Sequence, residues 1–318
     1  MKLAVVLFNL GGPSGQETIR PFLFNFFMDE KIIPLPKPLR YCVAQWISWR
    51  RSRGAAREAY AHLGFVSPLL KNTQLQRDAL EQALQEKAPG AKVFIAMRHW
   101  HPLADETAKE VALFQPDQIV LLPLYPQFSY TTTGSALADW RRAAKKAQLD
   151  VPTAEILSYP ENEGFVTASV EQIRKTLEHT PQNTRLLFSA HGLPERNIRR
   201  GDPYQKQCEQ TAAAIVKQLN RPQLDWQMCY QSRVGRLKWI GPSTDAALKK
   251  AADDGVGVAV YPLAFVSEHV ETLVEIDIDY RARARALNVA SFGKVETVGT
   301  TAAFINSLKN MVLQEKEK

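Results

Sequence analysis

Residues 186–194, LLFSAHGLP, read as a buried strand that stops at a glycine turn. A short apolar run bounded by Gly and Pro is what a strand covered on both faces leaves in a sequence. The same construction stands near the start as VVLFNLGGP, 5–13. Each opens a triplet of strands. FIAMRHWHP (94–102) and IVLLPLYPQFS (119–129) follow in the first half, and QMCYQSRVG (227–235) and VAVYPLAFVSE (258–268) in the second. The third member carries Pro-Leu both times. Strands are predicted over 3–10, 92–97, 118–124, 185–189, 225–230 and 256–263. Helices are predicted over 73–87, 102–114, 135–147, 163–177, 203–219, 244–252 and 300–313. This alternation describes an α/β protein of two similar, doubly wound, Rossmann-like domains, about 1–153 and 154–318, with a cleft between them. The last helix is expected to pack back on the first domain. Ligands of such folds bind beyond the carboxyl ends of the strands, where Asn9, Arg98, His99, Ser129, His191, Gln231 and Glu268 gather.

The repeat exposes an insertion, because the first two strands are about twice as far apart in the first half as in the second. The extra stretch, about 20–55, holds Phe22, Leu23, Phe24, Phe26, Phe27, Trp46 and Trp49, followed by Arg50, Arg51 and Arg53. Pro34, Pro36 and Pro38 make it a poor regular element. It is either core, or an apolar lip rimmed by cations that suits a flat greasy anion or a membrane interface.

Composition narrows the classes. The 318 residues are 45% apolar and 23% charged, values of a globular protein with a sizeable core. No apolar run approaches a membrane span, and the opening Met1–Phe8 run, cut at Asn9, reads as a strand rather than a signal peptide. The chain is expected to be cytoplasmic. Cys42, Cys208 and Cys229 are too few and too scattered for a four-thiolate site. The net charge of +7 is spread out and comes with no nucleic-acid motif. Anionic small molecules or an anionic membrane surface are therefore the expected partners, and no nucleic acid. Gly11-Gly12-Pro13-Ser14-Gly15 lacks the spacing of a nucleotide loop, and Ser189 lacks a nucleophile elbow.

The strongest chemical signal is the segment from Ser267 to Asp279. On an α-helix Glu268, Glu271, Glu275 and Asp279 share an arc of about 80°. Stacked carboxylates repel, so the row is either a solvated acidic face or a ladder that strips water from a divalent cation. His191, thrown out by the Gly192 turn, is either structural or a metal ligand and proton acceptor.

Asn9-Leu10-Gly11-Gly12-Pro13, Ser189-Ala190-His191-Gly192-Leu193-Pro194, Gln231-Ser232-Arg233-Val234-Gly235 with Trp239, and Pro262 through Tyr280 together resemble the ferrochelatase family. So do Tyr125-Pro126-Gln127-Phe128-Ser129 and Thr132-Thr133-Gly134-Ser135. The resemblance runs from about residue 3 to residue 308. It implies a chelatase-like fold and a lyase that inserts Fe2+, as substrate metal, into protoporphyrin IX to give protoheme, the last step of heme biosynthesis. By the same resemblance His191 and Glu271 are the active-site pair, and Glu275 and Asp279 line the metal path. Tyr60, Ser67, Arg98, His99, Trp239 and His269 fall at the porphyrin pocket. The insertion falls on lips that face the bilayer in membrane-associated members, which would place the protein at the periphery of the inner membrane, as a monomer or homodimer. Gly64-Phe65-Val66-Ser67-Pro68 departs from the family's Gly-rich stretch. Tyr130 stands where a cluster cysteine would lie and no cysteine follows Cys229, so no [2Fe-2S] cluster is expected, and no nucleotide. A chelatase for coproporphyrin III or for a more anionic tetrapyrrole, and a non-catalytic porphyrin carrier, are the rival readings. A carrier has no use for clustered carboxylates.

Overall fold

The structure is a computed structural model that describes residues 2–233, 235 and 237–316; Val234 of the 231–235 motif lies outside them. The chain forms two compact units. One comprises residues up to Tyr125, Ser129–Ser158 and the chain from Leu308; the other comprises Pro126–Phe128 and Tyr159–Ser307.

The first unit contains β1 (Leu3–Asn9), α1 (Ile19–Phe27), α2 (Lys37–Arg53), α3 (Ala55–Ala61), α4 (Leu69–Leu84), β2 (Lys92–Met97), α5 (Ala104–Phe114), β3 (Gln118–Pro123), α6 (Thr133–Lys146) and β4 (Thr153–Glu155). The second contains α7 (Glu163–Leu177), β5 (Thr184–His191), α8 (Glu195–Arg199), α9 (Tyr204–Leu219), β6 (Trp226–Gln231), α10 (Thr244–Asp253) and β7 (Gly257–Pro262). A π-helix over Glu271–Tyr280, α11 (Arg281–Ala286), β8 (Phe292–Lys294) and α12 (Ala302–Lys316) follow. The end of α12 groups with the first unit, where the Gln118 amide donates to the Glu315 carbonyl at 3.3 Å.

Both sheets are parallel and have the same order, β2-β1-β3-β4 and β6-β5-β7-β8. The internal repeat is therefore structural. In each, the opening strand is central and almost wholly buried. Ala4, Val6 and Phe8 face a core with Phe94, Leu121 and Trp140, and Phe8 meets Trp140 edge-on at 5.9 Å. In the second unit Leu186, Phe188 and Ala190 point to one face, and Leu187 points to the other with Cys229 and Val260. That is the period-two alternation of a strand covered on both sides. Phe188 is fully buried, with Trp226 and Tyr261 edge-on at 5.7 and 6.2 Å. Phe188→Ala is expected to cost about 3–5 kcal/mol, read as a lowered urea midpoint at unchanged slope.

The insertion is more regular than its prolines suggest. It forms two helices, and the proline run is absorbed at their junction. Pro34 and Pro36 lie between the helices and Pro38 in the first turn of α2, where a missing N–H costs no intrahelical bond. The two readings of the stretch divide between the helices. Phe22, Leu23 and Phe27 of α1 are buried, whereas Leu39, Tyr41, Trp46 and Trp49 of α2 are exposed. Arg50 and Arg53 lie over the Trp46 and Trp49 rings, 5.7 and 4.4 Å from their centroids. Among the described residues no helix is long and apolar enough to cross a membrane.

Candidate active site

In the second unit the chain leaves β5 for β6 on one side and returns to β7 on the other. The loops beyond the ends of β5 and β7 thus part company, which makes a crevice at the carboxyl ends. His191 is the last residue of β5, paired in register with Gln231. The turn after it is tight: Gly192 N–H donates to the Gln231 carbonyl at 2.9 Å, and a Cβ on Gly192 would stand 2.9 Å from that same oxygen. Trp239 closes the other side, its Cε3 3.4 Å from that Cβ position, in a bridge with Pro194. The chain beyond β7 supplies the π-helix. Because its turn holds more than four residues, Glu271, Glu275 and Asp279 run down one side of it.

His191 Nδ1 and Glu271 Oε2 are 2.9 Å apart, and both side chains are partly open to solvent. Burial would raise the Glu271 carboxyl, but the charges of His191 and His269 and the bonds from His191 and Ser232 hold it well below the ordinary range. Glu275 moves the opposite way, pushed up by burial and then by the Glu271 charge. Its oxygens are well supplied with donors. Ser232 N–H and hydroxyl donate at 2.8 and 2.5 Å, and the Gln231 amide and Tyr280 hydroxyl at 3.2 Å each. These bonds hold Ser232 in the left-handed region, φ +59°, an uncommon place for a non-glycine residue. Asp279 is exposed farther along. His269 is buried against the Phe265 ring at 4.5 Å, and burial lowers its pKa despite the Glu271 and Glu268 charges.

Glu268 does not join the ladder. It precedes the π-helix and turns to Lys294 and the Thr297 N–H, so the face is a row of three carboxylates, not four. Among the described residues no group of three or more His, Cys, Asp or Glu is arranged to hold a metal.

Four further candidates, Tyr60, Ser67, Arg98 and His99, belong to the first unit. Tyr60 and Ser67 are buried beside the Gly12 turn; Ser67 N–H donates to the Pro13 carbonyl at 2.8 Å. The departure at 64–68 has a backbone consequence. Phe65 takes φ +64° directly after Gly64 at +63°, a conformation that costs a non-glycine residue about 1–2 kcal/mol. Arg98, at the end of β2, has two carboxylate neighbours, Asp29 at 2.9 Å and Asp139 at 3.6 Å, and its Nε donates to Ser135 at 2.6 Å. Asp29, only 1% exposed, also accepts from the Ser135 hydroxyl and Lys31 N–H. The guanidinium thereby latches the α1–α2 insertion to the sheet, a role that sequence reading missed because Asp29 lies far from Arg98 in the chain. His99 is fully buried, its ring edge-on to Phe26 at 5.0 Å, and burial and the Arg98 charge keep it neutral.

Two Rossmann-like units, each a four-stranded parallel sheet of identical strand order flanked by helices, make up the fold of solved metal chelatases. SirB from Bacillus subtilis with Fe3+ superposes over 99% of this chain and 96% of its own at TM-score 0.60, 12% identical. The sirohydrochlorin chelatase SirB from the subspecies spizizenii, in complex with cobalt, gives 0.55 over 100% and 96% at 12% identity. These show the fold. The chain belongs to the ferrochelatase family: the Ferrochelatase family model matches residues 2–316. The Ferrochelatase of Caulobacter vibrioides is 53% identical over 315 residues, 98% of this chain and 89% of the relative. It is thus an enzyme, a metal-chelating lyase with ferrous iron and a porphyrin as substrates.

Proposed function

We propose that the porphyrin is protoporphyrin IX, that the product is protoheme, and that the reaction closes heme biosynthesis. The observation that carries the site assignment is the 2.9 Å contact of His191 with Glu271 at the end of β5, backed by Glu275. Insertion needs a dehydrated cation and removal of two pyrrole protons; no electron moves. His191 and Glu271 meet the incoming Fe2+ with nitrogen and oxygen donors and accept those protons. Glu275, pushed up by burial and by its neighbour's charge, is the carboxylate that takes a proton more readily. Asp279 links the row to solvent. Tyr60, Ser67, Trp239 and His269 are the proposed porphyrin contacts. Arg98 and His99, turned to protein partners, hold the wall. The exposed apolar face of α2, rimmed by arginines, supports peripheral contact with an anionic membrane.

An anaerobic assay with Fe2+ or Zn2+ tests the substrate. Protoporphyrin IX fluorescence should vanish as metalloporphyrin bands grow, at least tenfold faster than with coproporphyrin III. Faster turnover of coproporphyrin III would reverse the substrate assignment.

A further inference from the structure

Glu268 is the carboxylate that the row of acids leaves out, and its bonding gives it another task. It stands in the loop between β7 and the π-helix. One oxygen accepts from Thr297 N–H at 2.9 Å. The other accepts from Lys294 Nζ at 2.8 Å and from the Thr272 hydroxyl at 2.5 Å. Lys294, at the end of the edge strand β8, is 10% exposed, so the ion pair is largely withdrawn from water. Thr272 is fully buried, and its hydroxyl oxygen accepts from His269 N–H at 3.0 Å. One carboxylate therefore ties the first turn of the π-helix to the strand end beside it. Glu271 lies between Thr272 and the His269 backbone that this clamp fixes.

We propose that Glu268, with Lys294 as its counter-ion, is a positioning residue that holds Glu271 at hydrogen-bond distance from His191. This rests on the assignment of His191 and Glu271 above. The clamp touches no reacting atom. It works through geometry: a carboxylate displaced by about 1 Å loses up to about 100-fold in rate, while macrocycle binding, which draws chiefly on Tyr60, Ser67 and Trp239 outside the clamp, changes far less. The charge matters as much as the shape. A neutral side chain at 268 strands the nearly buried Lys294 ammonium, which then leaves for water and takes the β8 end with it.

The test is steady-state zinc insertion into protoporphyrin by Glu268→Gln, Lys294→Gln, Lys294→Arg and the double Gln variant, beside wild type. The expected result is kcat lowered about 10- to 100-fold in both single Gln variants and porphyrin KM within about twofold. The double variant should be no slower than the slower single, and Lys294→Arg should recover most of the rate. Wild-type kcat in Glu268→Gln overturns the proposal. So does an equal loss in Lys294→Arg and Lys294→Gln, which would make the site a packing feature. If the wild type itself inserts no metal, the assignment of the active site fails instead, and the two failures are told apart by that control. Far-UV dichroism and thermal midpoints accompany each variant; Lys294→Arg keeps the comparison decisive should Glu268→Gln not fold.

Discussion

Glu271→Gln should lose metal insertion by about 100-fold or more, the scale of removing a proton-transfer group, while binding porphyrin with unchanged affinity. The amide keeps the shape of the carboxylate and can still meet His191 across the 2.9 Å gap. What it lacks is the charge and the capacity to take a proton. In the native protein Glu271 is held ionised against the cost of its burial by the neighbouring histidines. The wild-type site thus presents an anion and an imidazole to a cation that must shed its water. With Gln at 271 burial still raises Glu275 but the added push of the Glu271 charge is gone, so that carboxylate becomes more acidic and a poorer proton acceptor. Both changes act on the reaction and neither on the macrocycle. The measurement is loss of porphyrin fluorescence under anaerobic conditions for turnover, with fluorescence quenching of the same porphyrin for affinity. A variant with more than half the wild-type rate would remove Glu271 from the chemistry. Lost affinity at full relative rate would point to a carrier-like role for the residue.

How much of this was legible beforehand depends on how local the cause is. The six longer strands, the repeat and the glycine turn at His191 were readable because each is written in consecutive residues. The edge strands β4 and β8, three residues each, are too short to leave a period. The helices α1 and α2 were obscured by three prolines that fall where a helix tolerates them. The helical spacing read for the carboxylates holds for Glu271, Glu275 and Asp279, which all fall within the π-helix. It failed for Glu268 because the helix begins after that residue, and because its partner Lys294 sits on a strand with no pattern to announce it. Arg98 shows the same limit. Its position beyond β2 was plain, but its latch to Asp29 and Asp139 is a contact between segments distant in sequence.

Gly192→Ala is expected to cripple the enzyme, and the reason can be separated from a mere loss of space. A Cβ there would lie 2.9 Å from the Gln231 carbonyl oxygen, 3.3 Å from Arg233 Cγ and 3.4 Å from Trp239 Cε3. The nearest atom is backbone, on the strand end that β5 pairs with, so it cannot swing aside. The turn must shift and carry His191 with it. The expected cost is about 1–3 kcal/mol in stability and up to about 100-fold in kcat, because a displaced His191 no longer meets Glu271. Shortening the neighbouring side chain by Trp239→Ala should not restore the rate. Gly12 in the first unit gives the contrasting case. There a Cβ would lie 2.5 Å from both Cβ and Oγ of Ser67, which are side-chain atoms. Gly12→Ala should therefore be destabilised by a similar amount, but Ser67→Gly in the same chain should recover most of the stability. Urea denaturation and zinc-insertion rates of the two double variants decide the matter. Rescue of Gly192→Ala by Trp239→Ala would mean that side-chain crowding, not the close approach of two strand ends, is what the glycine after His191 serves.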